Sequence, residues 1–297
     1  MHIGPLYNND RQPMIFVKGY GQMCNNWLQY AHIYAWGREY GVRTVSMRFA
    51  YKYRYFHICE TPWHNPATYL AAKLLIKTRL IRCLWLQHPR QRTDPEVHRL
   101  LSQSRLIAAD GWSFRHPQLF MKYRAEIASL FAFRPAKVAA KAAWLRSLPE
   151  ADVRLGLHIR RGDYARWQGG AYFFSDDEYA ERVRQFAALF PGKRVQVLVA
   201  TNDPRVDIGL LRSRSGVADM HLTRGNPGED LYLLSECDYI MGPKSTFSLV
   251  AAFYHDRPLH WIAPDDGVIT EDSFCRFADV FMDVYIDNGK KYQHTFD

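Results

Sequence analysis

The stretch VRLGLHIRRGDY, residues 153–164, gathers an imidazole, two adjacent guanidinium groups and a carboxylate. Val153, Leu155, Leu157 and Ile159 alternate with Arg154, Gly156, His158 and Arg160, which is the period of a half-buried strand. In a parallel sheet His158, Arg160 and Arg161 would project at the carboxyl end of that strand, where such folds bind ligands. A guanidinium offers a planar fork of donors that matches phosphate oxygens. An imidazole can hydrogen-bond a ribose, a base or a phosphate. Asp163 can brace one guanidinium so that the other stays aimed. The same residues would equally make a salt-bridged strand end with no ligand.

A second group lies in DYIMGPKSTFSLVAAFY, residues 238–254. A strand passes through Gly242-Pro243 into Ser245, Thr246 and a helix. Hydroxyl residues at a helix start cap it, and the same geometry turns free backbone N–H groups and the positive helix end toward an anion. Lys244 adds charge. Capping and phosphate binding are compatible. Absent motifs narrow the chemistry further. There is no G-x-x-x-x-G-K-[ST] loop, which excludes a P-loop NTPase, and no third glycine of a dinucleotide fingerprint around 19–21. No D-x-D triplet occurs, so a diphosphate would be neutralised by arginine and a helix terminus, with no metal and no cofactor.

The elements that must hold these groups alternate in both halves of the chain. PMIFVKG (13–19) reads as a strand, 24–40 as a helix, 42–49 as a strand, 69–87 as a basic amphipathic helix and 105–112 as a strand. A helical region at 117–148 follows, with Pro135 opening a new helix. In the second half, helices at 175–190, 230–237 and 245–254 separate strands at 153–160, 195–203, 238–242 and 259–263. Ser175 and Glu178 form a capping box, and VQVLVATND is the near-continuous apolar run of a parallel strand covered on both faces. This alternation defines an α/β protein with two parallel-sheet domains, 1–150 and 151–297, joined near 149–152.

Composition bounds the partners. The chain has 297 residues, 47% of them hydrophobic and 14% aromatic, which suits two ordinary domains with real cores. A net charge of +9, with arginines spread along the chain, calls for an anionic partner such as nucleic acid, a membrane surface or a phosphorylated small molecule. No RNA-binding or zinc-finger signature is present. Five scattered cysteines without a C-x-x-C pair read as reduced thiols of a cytoplasmic protein. The N-terminal MHIGPLYNNDRQ lacks the apolar core of a signal peptide. Within 69–87, Lys73, Lys77, Arg79 and Arg82 exclude a spanning helix. A helix there would either show its basic side to water or rest on anionic lipid at the inner membrane.

HIRRGDY at 158–164 resembles the H-x-R-R-G-D-Y motif of α-1,2-fucosyltransferases and is similar to the H-x-R-R of α-1,6- and protein O-fucosyltransferases. EDLYLLSECDYIMGPKSTFSLVAAFYHDRP (229–258) is similar to that family's D-[LI]-x-x-[LM]-S … [ST]-[ST]-F-S block. GQMCNNWLQYAHIYAWGREYG (21–41) resembles its N-terminal segment, with CNNWLQYA where the family has G-N-Q-x-F-Q-Y-A. The resemblance implies a GT-B type enzyme, two Rossmann-like parallel-sheet domains facing a cleft, that uses GDP-fucose without metal. By the same resemblance Arg160 would hold the β-phosphate, with Asp163 beside it as brace or base, and His158 and Arg161 would contact the nucleotide. Asp230 would accept from N1–H and N2–H of guanine. Ser245, Thr246 and Phe247 would cradle the diphosphate. Gly21, Asn25 and Asn26 would lie on the acceptor side. The expected reaction is inverting transfer of fucose to a hydroxyl of an oligosaccharide or lipid-linked glycan, with bacterial cell-surface glycan as the setting. The alternatives are a transferase for another nucleotide-activated hexose, or a non-catalytic polyanion-binding protein.

Overall fold

The computed structural model describes residues 12–286. Its contacts divide the chain into two compact units, the first ending at Arg134 and the second beginning at Pro135. The seam thus lies ahead of the 149–152 position read from the sequence. The helix Pro135–Ser147 accounts for the difference, because Trp144, Leu145 and Leu148 pack against Leu198, Leu233 and Cys237 of the second unit. The N-terminal stretch MHIGPLYNNDRQ, expected to hold no signal peptide, lies outside the described residues apart from Gln12.

The first unit runs β1 (Met14–Val17), α1 (Met23–Glu39), β2 (Arg43–Ser46), α2 (Met47–Tyr51), α3 (Pro66–Lys77), β3 (Cys83–Trp85), α4 (Pro95–Gln103), β4 (Leu106–Asp110), α5 (Pro117–Lys122) and α6 (Arg124–Leu130). Its sheet has the order β2-β1-β4-β3 with all strands parallel. All four residues of β1 are buried, as a parallel strand covered on both faces requires. The expected strand at 42–49 is shorter, because the Ser46 hydroxyl accepts the N–H of Phe49 and starts α2.

The single basic helix expected over 69–87 is not formed. Helix α3 is capped by the Asn65 side chain, which accepts from the Thr68 N–H, and it ends at Lys77. Arg79 then adopts a left-handed backbone with φ 59°. That reversal returns the chain to the sheet as β3, where Cys83, Leu84 and Trp85 pair with Ala108, Ala109 and Asp110. Three residues are too short to display a strand period, so β3 is hidden in the sequence behind the helical pattern before it.

The second unit runs α7 (Pro135–Ser147), β5 (Val153–Ile159), α8 (Asp176–Ala188), β6 (Val195–Thr201), α9 (Ile208–Ser215), β7 (Met220–Leu222), α10 (Pro227–Ser235), β8 (Tyr239–Pro243), α11 (Thr246–Phe253), β9 (Leu259–Ile262) and α12 (Phe277–Ile286). The sheet order is β7-β6-β5-β8-β9, again all parallel. The expected capping box of Ser175 and Glu178 opens α8. Leu155, Leu157, Val197, Val199, Val183 and Phe186 are fully buried in one continuous core.

Strand β5 is central and is covered on both faces, not one. Gly156 and His158, on the side expected to be polar and open, are buried. A Cβ at Gly156 would stand 2.9 Å from Leu234 Cδ2 of α10, so glycine lets that helix close over the strand. Strand order reverses between β5 and β8 here, and between β1 and β4 in the first unit. Open parallel sheets bind ligands outside the carboxyl ends of the strands at such reversals.

Candidate active site

The tip of β5 sorts the motif residues into different environments. His158 is 5% exposed and its ring lies 4.9 Å from that of Phe247, tilted by 35°. Its Nδ1 has no hydrogen-bond partner among the described residues. Burial, aided by the charge of Arg160, pushes the imidazole down to about 3, so it is neutral at physiological pH. Arg160 stays partly open, with Nη2 2.8 and 3.0 Å from the two carboxylate oxygens of Asp163, and its guanidinium lies 5.7 Å from the centre of the Tyr164 ring.

Arg161 is placed differently from the nucleotide contact expected of it. Its guanidinium turns inward, 2.5 Å from Asp176 Oδ1 and 3.6 Å from Asp203 Oδ2, and its Nε donates to the Phe174 carbonyl. Asn202, at the end of the neighbouring strand, clips the Arg161 backbone on both sides: its Oδ1 accepts the N–H at 2.8 Å and its Nδ2 donates to the carbonyl at 2.9 Å. Of the two adjacent arginines, only Arg160 keeps donors toward solvent at the strand tip.

At the end of β8, Ser245 is the N-cap of α11 and its Oγ accepts the Phe247 N–H at 3.1 Å. Ser245 and Thr246 are buried, while Phe247 is half-buried against His158. Gly242 permits the approach, since a Cβ there would stand 2.6 Å from the His158 carbonyl oxygen. Tyr164 ties the two tips together by donating its hydroxyl to the Lys244 carbonyl at 2.6 Å, and burial pushes this phenol up to about 12. So His158, Arg160, Tyr164 and the Ser245 cap converge at the β5/β8 reversal.

Asp230 stands apart from that convergence, in the first turn of α10. It is 9% exposed, and burial raises its carboxyl above the usual range even though Thr223 and the Gly225 N–H, at 3.0 Å, hydrogen-bond it. It lines a cavity of ≈ 410 Å³ with Thr201, Asn202, Thr223 and Arg224, at the carboxyl ends of β6 and β7. Asn202 belongs to both places, so the cavity and the β5 tip share a wall.

The residues expected on the acceptor side lie in the first unit, where α1 begins after β1. Gly21 has φ 61° and its carbonyl accepts from Asn26 Nδ2 at 3.1 Å. Asn26 also donates to the Gln22 carbonyl and is fully buried; Asn25 is next to it, half-buried. Beside them Lys18 and Asp110, at the ends of β1 and β4, form an ion pair of 2.6 Å at this sheet's own reversal.

Sequence reasoning missed Asn202 and Arg224 as cavity-lining residues, and assigned no role to Tyr164. Tyr164 was available in the motif itself, and Asn202 ends the apolar run of β6 as a polar residue of the kind that clips loops.

No protein-family model and no curated protein sequence matches this chain. The fold has counterparts among solved structures. A mutant of Arabidopsis thaliana FUT1 in complex with GDP aligns at TM-score 0.61 with 13% identity, over 91% of this chain and 75% of that one. POFUT1 in complex with GDP-fucose aligns at 0.55 with 10% identity, over 84% and 96%. The NodZ alpha-1,6-fucosyltransferase soaked with GDP-fucose aligns at 0.54 with 14% identity, over 84% and 95%. The chain therefore has the two parallel-sheet α/β units of the GT-B type expected from its sequence.

Proposed function

We propose that the protein is a glycosyltransferase that moves fucose from GDP-fucose to a glycan hydroxyl, with inversion and without metal, in the manner of the α-1,2-fucosyltransferases. The observation that carries this reading is the convergence of Arg160, neutral His158 and the Ser245-capped helix at the β5/β8 reversal, beside a cavity containing a buried carboxylate. Guanine would enter that cavity and present N1–H and N2–H to Asp230. The diphosphate would meet Arg160 and the N–H groups at the start of α11, where Ser245, Thr246 and Phe247 lie.

In the reaction an acceptor oxygen bonds to the anomeric carbon as the bond from that carbon to the β-phosphate oxygen breaks. The electron pair leaves with GDP, and the hydroxyl proton passes to solvent water. Arg160 acts on the charge that grows on the β-phosphate, which is stabilisation made in the transition state. Asp163, with both oxygens on Arg160, is assigned to bracing that arginine. His158, held neutral, serves as a hydrogen-bonding group and not as an acid. Gly21 and Asn25 are assigned to the acceptor, an oligosaccharide or a lipid-linked glycan; Asn26, expected with them, is fully buried with its amide on the Gly21 and Gln22 carbonyls and is assigned to holding the start of α1.

Peripheral contact with anionic lipid belongs to the same proposal, now on a smaller element than 69–87. Leu70 and Leu74 of α3 and Leu80 beyond it are 61%, 60% and 74% exposed among the exposed Lys73, Lys77, Arg79 and Arg82. That is the composition of a surface that inserts leucines between acidic headgroups. Co-sedimentation with phosphatidylglycerol vesicles, absent with phosphatidylcholine alone, is expected; equal sedimentation with both would remove this part. Among the described residues no helix is long and apolar enough to cross a membrane.

The donor is tested by release of GDP from GDP-fucose, with GDP-mannose in a parallel reaction. Turnover of GDP-fucose alone is the expected result. Turnover of GDP-mannose alone would replace fucose by another hexose, and turnover of neither, with water or with glycan acceptors, would contradict an enzyme of this class.

A further inference from the structure

The turn that closes the Asp230 cavity is held in a costly conformation by a residue from a distant helix. Arg224 has φ 47°, the left-handed region that non-glycine residues seldom occupy, and such strain persists only where the surroundings over-determine it. The surroundings here are specific. Lys141 of α7 reaches across to donate its Nζ to the Thr223 carbonyl at 2.5 Å and to the Arg224 carbonyl at 3.2 Å. The Thr223 N–H donates to the Val199 carbonyl of β6 at 3.0 Å. The Gly225 N–H donates to Asp230 Oδ1, and a Cβ at Gly225 would collide with that oxygen.

The Thr223 N–H and carbonyl, the Arg224 carbonyl and the Gly225 N–H thus all have named partners, and the last of them fixes the turn to the Asp230 carboxylate. Both Asp230 and Arg224 line the cavity, but the Arg224 side chain is exposed and its guanidinium makes no hydrogen bond or ion pair among the described residues. A planar cation at the mouth of a cavity whose floor holds a carboxylate has the geometry to cover the face of a flat heterocycle while the carboxylate reads its edge.

We propose that Lys141 and Arg224 set the base specificity of this site, Lys141 as a positioning residue that fixes the Thr223–Gly225 turn and with it Asp230, and Arg224 as the group that covers the purine face. This rests on the nucleotide reading above and adds how purine is told from pyrimidine and guanine from its close analogues. The two residues act on different features of the ligand. Lys141 acts on hydrogen bonds to the base edge through Asp230. Arg224 acts on stacking, which every purine offers.

The test compares equilibrium binding of GDP, IDP and UDP to the full chain. IDP lacks only the 2-amino group of guanine, so the GDP/IDP affinity ratio reports the second hydrogen bond to Asp230. In the unsubstituted protein that ratio should be about tenfold or more, the value of a hydrogen bond to a charged acceptor. Lys141→Met should bring it near one while GDP binding remains sensitive to Arg160→Ala; Lys141→Arg, which can still donate to two carbonyls, should restore it. Arg224→Gly keeps the left-handed backbone without strain, and should weaken GDP and IDP alike by about threefold with their ratio intact.

A purely structural role for Lys141 would lower the melting temperature of Lys141→Met and leave the GDP/IDP ratio as it was, which overturns the proposal. An unchanged GDP affinity in Arg224→Gly overturns the stacking half of it. Failure of the unsubstituted protein to bind GDP at all would be a different result, since it brings down the nucleotide reading and this inference with it.

Discussion

Asp163 holds Arg160 by a single nitrogen: both carboxylate oxygens lie within 3.0 Å of Nη2, and the rest of the guanidinium stays clear at the strand tip. This arrangement separates bracing from proton abstraction. Arg160→Ala should lower kcat by about 10²–10³, the range for loss of one donor to a developing oxyanion. Asp163→Asn keeps one acceptor for Nη2 and should cost only about tenfold, with the pH profile of kcat unmoved. If Asp163 were the base, its removal would match or exceed the loss of Arg160 and would flatten the acidic limb of that profile.

Arg161, next in the chain, should behave as a structural residue. Arg161→Leu leaves Asp176 without its guanidinium partner in a mostly buried site, while Asp203 keeps Arg205, and breaking a buried pair costs about 3–5 kcal/mol. Chemical denaturation should report that loss. The fraction that remains folded should turn over with a kcat close to that of the unsubstituted protein, unlike Arg160→Ala.

Buried histidines make stability sensitive to mild acid. Burial depresses His158 to about 3, and His64 and His116 to about 4. The unfolded chain takes up a proton at each near pH 6.5 while the folded chain does not, so stability is complete above about pH 6.5 and falls as pH drops toward 4. Each such group contributes a slope of about 1.4 kcal/mol per pH unit in that window. Urea unfolding at pH 7.5 and 5.5 should show the loss, and His158→Gln should reduce it. An identical slope in the variant would mean that His158 is protonated in the folded protein.

Gly242 is required by close approach. A Cβ there would stand 2.6 Å from the His158 carbonyl oxygen and 2.9 Å from its Cβ, and backbone cannot yield as a side chain can. Gly242→Ala should destabilise by about 1–3 kcal/mol, as overpacking does, and should weaken GDP binding because β8 carries the Ser245 cap. Unaltered thermal unfolding would show that the two strands separate freely at this point.

Much of this was legible in advance where one residue pattern had one physical meaning. The capping box at Ser175, the Ser245 cap and the apolar run of β6 each lie where their patterns predict. Burial was less legible. Alternation around His158 reads as one wet face, but Gly156 and Gly242 allow α10 and the start of α11 to close on β5, and only the fold reveals what covers a glycine. The two arginines are indistinguishable in sequence, and it takes Asp176, at the start of α8, and Asp203, in the loop after β6, to draw Arg161 inward. In the sequence helix α7 groups with the helices before it, because proximity along the chain says nothing of the partner it packs on.

The most direct test of the central claim is calorimetric titration with GDP, GDP-fucose and UDP in EDTA, on the unsubstituted protein and on Arg160→Ala. Micromolar binding of GDP and GDP-fucose that survives chelation, weakens about tenfold or more in the variant and exceeds UDP binding is the predicted result. No GDP binding, or binding that Arg160→Ala leaves unchanged, would contradict a nucleotide-sugar site at the β5/β8 reversal.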